Sequence, residues 1–295
     1  MKSSSRIVLL FSLFFATAGL RAETPPTAGE PRTFTDLAYV TGGHARQKLD
    51  LYLPAKPSGP LLVWIHGGGW SAGSKQKPAG LPMMKYGFAV ASVEYRFSQD
   101  AVFPAQIEDC KAAIRWLRAH AAEYGYDPQR IGVWGASAGG HLAALLGVTG
   151  QMRDFDVGEN LDQSSAVQCV LDWFGPADFP AYDSGSPAEI AQRENPHSIL
   201  GQLFGGSIAE KMDLARRASP VTWVTKDAAP TLIMQGTNDL LVPPVQSEHL
   251  ADKLKAAGVE VTLDVIEGAG HGGPQFTAPA KLLLMRDFLM RHLAK

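Results

Sequence analysis

Ser137 stands in the string Gly135-Ala136-Ser137-Ala138-Gly139, after an apolar run at 131–134 and before a helical pattern around 141–147. A strand that turns sharply into a helix strains the serine at the turn and lifts its hydroxyl above the sheet edge. Side chains two positions to either side would collide, so both places need glycine. The helix start aims free N–H groups at developing negative charge. Ser137 is therefore a candidate nucleophile, although a solvated serine in a glycine-rich turn would read the same way. His66-Gly67-Gly68-Gly69-Trp70 follows the apolar run Leu61–Ile65. Successive glycine amides can converge on an oxyanion because no Cβ obstructs the approach. The amides of Gly67 and Gly68, with that of Ala138, are the expected donors. His66 is expected to brace the loop through its side chain.

A serine nucleophile needs a base and an acid, ordered Ser, acid, His along such chains. Asp239 lies just past the apolar run 231–235, and His271 lies in Gly268-Ala269-Gly270-His271-Gly272-Gly273, just past Val261–Ile266. Both fall at the strand-end edge where ligands bind in open parallel sheets. His271 is expected to take the Ser137 proton, with Asp239 fixing the imidazole tautomer. Asp264 and Glu267 are the competing acids. Asp264 lies mid-strand and Glu267 is close to His271 in sequence, so Asp239 is preferred. His44, His120, His141, His197, His249 and His292 read as structural or solvated.

Other chemistries fit poorly. A dinucleotide fingerprint needs a glycine where Ala72 stands, and a phosphate loop needs the reverse of Gly73-Ser74-Lys75. No HExxH string or Cys/His ligand cluster is present, so neither a metal nor another cofactor is expected.

The elements that must hold these residues alternate along the chain. Strands are expected at 34–40, Lys48–Leu53, Leu61–Ile65, 88–93, 131–134, 167–174, 231–235 and Val261–Ile266. The first two suggest a hairpin around Thr41-Gly42-Gly43. Helices are expected from 107 to Gly125, at 141–147, 245–257 and 275–293. This βαβα rhythm argues for a mostly parallel sheet with helices on both faces. Residues 176–230 break the rhythm with Pro176, Pro180, Pro187, Pro196 and Pro220 and a helical piece at 208–218. So long an excursion reads as a lid or cap, or as a surface insertion. This excursion and Trp70 are expected to supply the pocket walls, and Trp173, Phe174, Phe179 and Tyr182 are candidates for an aromatic acyl site or the core.

The chain has 295 residues, 45% of them hydrophobic, and a formal net charge of -2. That apolar content excludes disorder, and the charge balance lacks the basic stripe of a nucleic-acid binder. Lys2, Arg6 and an apolar run over 7–20 ending in small residues form a signal-peptide pattern, too short to span a bilayer. Residues 1–22 are expected to be removed near Ala18 or Ala22, which implies export. Residues 23–33 read as a linker, and 34–295 as one catalytic domain. Cys110 and Cys169 read as buried thiols, with one disulfide as the alternative.

Taken together, the His66–Trp70 loop, the Ser137 elbow, Asp239 and His271 resemble the α/β-hydrolase fold, in its esterase/lipase branch with an HGGG loop. Glu94-Tyr95-Arg96 and Phe103-Pro104-Ala105 also match that branch. The resemblance implies an eight-stranded, mostly parallel sheet with a lid-like insertion before the strand preceding the acid. Ala136 and Gly236-Thr237-Asn238 depart from the hormone-sensitive-lipase type. The stretches around Asp239 and His271 look more like secreted bacterial carbohydrate-ester hydrolases of the feruloyl-esterase-like and acetyl-xylan-esterase-like kind. The implied activity is serine ester hydrolysis without a cofactor. The implied substrate is a small ester or an acyl ester of plant polysaccharide. Two alternatives are a prolyl-oligopeptidase-like peptidase and a catalytically dead ligand binder on the same fold.

Overall fold

Eight strands form one sheet in the computed structural model, which describes residues 29–56, 58–182 and 187–293. They are β1 (Arg32–Ala38), β2 (Lys48–Leu53), β3 (Leu61–Ile65), β4 (Ala89–Val93), β5 (Ile131–Ala136), β6 (Cys169–Trp173), β7 (Thr231–Gly236) and β8 (Val261–Ile266). Their spatial order is β1-β2-β4-β3-β5-β6-β7-β8. The β1–β2 and β2–β4 pairs are antiparallel, and the rest are parallel.

Parallel neighbours need long crossovers, which the helices supply. They are α1 (Ala105–Ala119), α2 (Ala121–Tyr124), α3 (Ala138–Thr149), α4 (Pro187–Glu194), α5 (Ile199–Phe204), α6 (Met212–Ala218), α7 (Pro220–Trp223), α8 (Pro244–Ala256) and α9 (Pro279–Leu293). Helices α4 to α7 make up the excursion between β6 and β7. No helix among the described residues is long and apolar enough to cross a membrane. The expected signal segment, 1–22, lies outside the described residues.

The sequence expectations need three corrections. The linker read as 23–33 runs too far, because Arg32 and Thr33 already pair with Leu53 and Tyr52. The helix expected at 208–218 begins only at Met212; residues 208–211 form a turn, with the Lys211 N–H donating to Ser207 O at 3.0 Å. The helix expected at 275–293 is a 3₁₀ turn, Pro274–Thr277, followed by α9. Pro279 bars its predecessor from helical backbone, and Ala278 is extended with ψ 147°.

Helices on both faces leave the central strands no solvated side, so β3, β5, β6 and β7 are almost wholly buried. On one face Trp64, Trp134 and Trp173 project from neighbouring strands. Trp134 meets the other two edge to face, at 5.4 and 4.8 Å between ring centroids. They pack in one cluster with Phe288 and Leu289 of α9. On the other face Val63, Ile65 and Val133 share a cluster with residues of α1, α3 and α8. Cys110 belongs to this cluster and Cys169 to the opposite one, and both are free thiols.

The polar face of α1 is buried too. Lys111 Nζ reaches Met152 O at 2.9 Å and Asp156 Oδ1 at 3.2 Å, and Arg115 reaches the same carboxylate at 2.8 Å. These cations satisfy the carbonyls of the loop between α3 and β6.

One close approach fixes where the catalytic-type residues stand. A Cβ on Gly139 would lie 2.1 Å from Ile65 O, and one on Gly135 would lie 2.0 Å from Gly139 O. The first turn of α3 therefore rests directly on the backbone of β3 and β5. Gly139→Ala should lower unfolding free energy by about 1–3 kcal/mol, because backbone atoms cannot yield as a side-chain tip can. Urea denaturation checks this, and a midpoint equal to wild type would show that the contact can open freely.

Candidate active site

Ser137 is the residue between β5 and α3, with φ 56° and ψ -122°. A non-glycine residue held there stores about 1–3 kcal/mol of strain, which the surrounding bonds must hold. Its N–H donates to Trp173 O on β6 at 2.8 Å, and its carbonyl accepts the His141 N–H at 2.9 Å. The backbone is thus anchored on both sides while the hydroxyl stays free to face the cavity.

Asp239 lies three residues past the end of β7, buried. Its Oδ1 accepts the Leu241 and Val242 N–H groups, each at 2.9 Å. Its Oδ2 accepts His271 Nδ1–H at 2.7 Å and Gln235 Nε2–H at 3.2 Å. Burial pushes the carboxyl up, but the bond from His271 and the two amides outweigh it, and the group sits below its usual range. A carboxylate can only accept, so His271 Nδ1 carries the proton. The other nitrogen of the neutral ring is then an acceptor. His271 Nε2 stands 2.8 Å from Ser137 Oγ, which donates to it. The structure brings Ser137, His271 and Asp239 into one continuous relay. The competing Asp264 is held instead by Lys281 at 2.6 Å.

The glycine loop leaves β3 beside this relay. His66 is buried, and burial lowers its imidazole to about 4, so the ring is neutral. Its Nδ1–H donates to Gly67 O at 2.7 Å. In a planar trans peptide the N–H points opposite to the C=O, so this bond turns the Gly68 amide the other way. The Tyr95 hydroxyl holds His66 O at 3.0 Å, and its ring stacks on the imidazole at 4.6 Å. The N–H groups of Ser71 and Ala72 hold Gly68 O at 3.1 and 3.0 Å, which likewise turns the Gly69 amide. Among the described residues, the amides of Gly67, Gly68, Gly69 and Ala138 donate to no protein acceptor. Gly67 and Gly68 line the cavity in front of Ser137, whereas Ala138 is buried at the start of α3.

That cavity has a volume of about 410 Å³, and among the described residues no charged side chain lines it. Pro176, Tyr182, Ile199 and Leu200 form its wall on the insertion side, and Trp70 and Phe174 contribute rings. Of the four aromatics singled out near 173–182, Phe174 and Tyr182 line the cavity. Trp173 and Phe179 are core. Trp70 is steadied by its Nε1–H donating to His141 Nδ1 at 3.2 Å, and His141 Nε2–H donates to Ala218 O at 2.7 Å. The reading of His141 as structural agrees with this. The remaining wall, Leu240 to Val242, was not foreseen. Leu240 and Leu241 are 89% and 65% exposed at the rim. Two adjacent leucines in a polar loop directly after the acid were the available signal.

Residues 49–254 match the family model described as BD-FAE. The "Probable carboxylic ester hydrolase LipM" of Mycobacterium tuberculosis is 32% identical over 229 residues, covering 75% of this chain. This chain spans 51% of LipM's length. A structure described as a truncated form of carbohydrate esterase from gut microbiota is 32% identical and superposes with a TM-score of 0.81. The match covers 92% of this chain and all of that one. The butyrate-bound esterase Est2 of Thermogutta terrifontis is 26% identical with a TM-score of 0.69, covering 92% of this chain and 97% of its own. The sheet order, the matched segment and these relatives agree: the chain belongs to the BD-FAE family and has the α/β-hydrolase fold.

Proposed function

We propose that this protein is a serine carboxylic ester hydrolase. The observation that carries this reading is the unbroken relay from Asp239 through His271 to Ser137, opening on an apolar cavity beside unpaired amides. Ser137 Oγ attacks the ester carbonyl carbon as His271 Nε2 takes its proton. Asp239, kept ionised, holds Nδ1–H and stabilises the imidazolium. The carbonyl oxygen becomes an oxyanion received by the amides of Gly67, Gly68 and Ala138, with His66 bracing the loop. Collapse expels the alcohol, protonated by Nε2–H, and leaves acyl-Ser137. Water, deprotonated by His271, then releases the acid. The sequence adds no cofactor to this chemistry.

The wall, apolar and uncharged among the described residues, suits an uncharged acyl group, and the carbohydrate-esterase neighbour supports a sugar-linked alcohol. Acetyl or feruloyl esters of plant polysaccharide, or small esters, are the proposed substrates. Helices α4 to α7 serve as the cap over the acyl site. Residues 1–22 act as the export signal, so the mature enzyme works outside the cytoplasm; the N-terminal residue of the purified mature protein tests that placement.

Ser137→Ala should abolish turnover of p-nitrophenyl acetate down to a residue of about 10³–10⁴ over water. Retained wild-type turnover in that variant would remove Ser137 from the mechanism. Asp239→Asn should lower kcat by about 10⁴, since the amide no longer selects the Nδ1–H tautomer. The same variant makes a pH prediction. A carboxyl whose pKa falls on folding adds stability that is present above its unfolded value and lost as pH drops through the folded one. As pH falls below the ordinary carboxylate value of about 4, the wild type should therefore lose more unfolding free energy than Asp239→Asn. Parallel losses in urea titrations would show that Asp239 gains nothing on folding. A panel of acetyl, butyryl, long-chain and feruloyl esters with proline-peptide anilides should show turnover of esters only.

A further inference from the structure

Asp172 is the one carboxyl among the described residues that is fully buried beside the nucleophile turn and has no part in the relay. It lies on β6, in register with Gly135 of β5 and Ile233 of β7, and is wholly inaccessible. Its side chain projects toward α3. A Cβ on Gly140 would meet Asp172 Oδ1 at 2.4 Å, and one on Gly175 would meet it at 2.6 Å. Two glycines, one in the first turn of α3 and one past β6, thus make room for this carboxyl. Oδ1 accepts the Gly175 N–H at 2.9 Å, while Oδ2 has no partner among the described residues. Burying a polar atom unpaired is costly, so a role is needed to explain it.

The turn that Oδ1 closes contains two residues that reach the relay. Trp173 O accepts the Ser137 N–H at 2.8 Å. Phe174 has φ 44°, a strained value for an aromatic residue, and its ring lies 4.5 Å from that of His271. The Phe174 N–H is tied to Met234 O on β7 at 2.9 Å. A free chain would relax such a φ, so something must clamp the residue on both sides. Met234 O clamps it before the bend and Asp172 Oδ1 after it.

We infer that Asp172 is a positioning residue, holding the turn 172–175 so that Trp173 O anchors the nucleophile backbone and the Phe174 ring backs the catalytic-type imidazole. This rests on Ser137 and His271 acting as proposed above. Asp172 touches neither substrate nor relay; it sets the relative placement of the two groups that do. Asparagine matches the aspartate in size and keeps an acceptor oxygen for the Gly175 N–H, so it retains the bond that closes the turn.

The test compares Asp172→Ala, Asp172→Asn and Val170→Ala in the full chain, with p-nitrophenyl ester kinetics and thermal midpoints. Val170 is two residues earlier on the same face of β6, against Gly147 of α3. It provides a cavity that leaves the turn alone. Asp172→Ala should lower kcat by about 10²-fold at a temperature where it is fully folded, because displacement of about 1 Å has that effect. KM should change by less than about tenfold, and so less than kcat, since Phe174 is the one described wall residue that lies on the turn 172–175. Asp172→Asn should restore kcat to within about threefold by accepting the Gly175 N–H again. Val170→Ala should lose stability but keep kcat. Wild-type kcat in folded Asp172→Ala would overturn the inference, as would equal kcat losses in Asp172→Ala and Val170→Ala. A failed Ser137→Ala test would instead overturn the proposed reaction, so the two can be told apart.

Discussion

The direct contact of α3 with the backbone of β3 and β5 is the constraint on which the site depends. The helix can start where β5 ends only because Gly135 and Gly139 leave no Cβ between the backbones. That proximity forces Ser137 into its strained conformation and places its hydroxyl over the sheet edge. It also sets the glycine loop, which leaves β3 at the same edge, against the nucleophile turn. A looser helix would relax the strain and separate the serine from the amides. Strain is tolerated here because the buried cores on both faces of the sheet hold the elements in place.

The electrostatics around the site follow one pattern. Groups that could carry positive charge near the apolar cavity are kept neutral by burial, as with His66 and His141. Each of these rings then donates a proton to a carbonyl, so that it fixes backbone rather than charge. The negative charge is confined to Asp239, where four donors receive it. A neutral His271 between that carboxylate and a hydroxyl is the state from which proton transfer can begin. In a water-poor cavity such fixed dipoles act more strongly than they would in bulk solvent.

Local chemistry made several residues legible in the sequence. The glycines around Ser137 and after His66 are needed by backbone geometry within a few residues, so their spacing carries the information. Asp239 and His271 were legible because each follows a short apolar run that reads as a strand. Residues whose role comes from distant partners were not legible. Asp172 looked like any strand residue, because its neighbours Gly140 and Gly175 are far off or in another element. Nothing near Lys111 and Arg115 in the sequence marks them as buried. A loop of carbonyls about 40 residues later along the chain buries them, as the bonds to Met152 and Val157 show.

The sequence by itself determined the order of strands and helices along the chain, the turn that strains Ser137 and the candidates for acid and base. These rest on steric rules acting over a few consecutive residues. Only the tertiary structure decided that Asp239, His271 and Ser137 meet within hydrogen-bond distance. It also decided that Leu240 and Leu241 wall the cavity, and that a buried carboxyl stands behind the nucleophile. Those outcomes depend on how the sheet is ordered and how closely its layers pack. Pairings between strand residues tens of positions apart set the first, as between β3 and β5 or β6 and β7, and no local pattern encodes them.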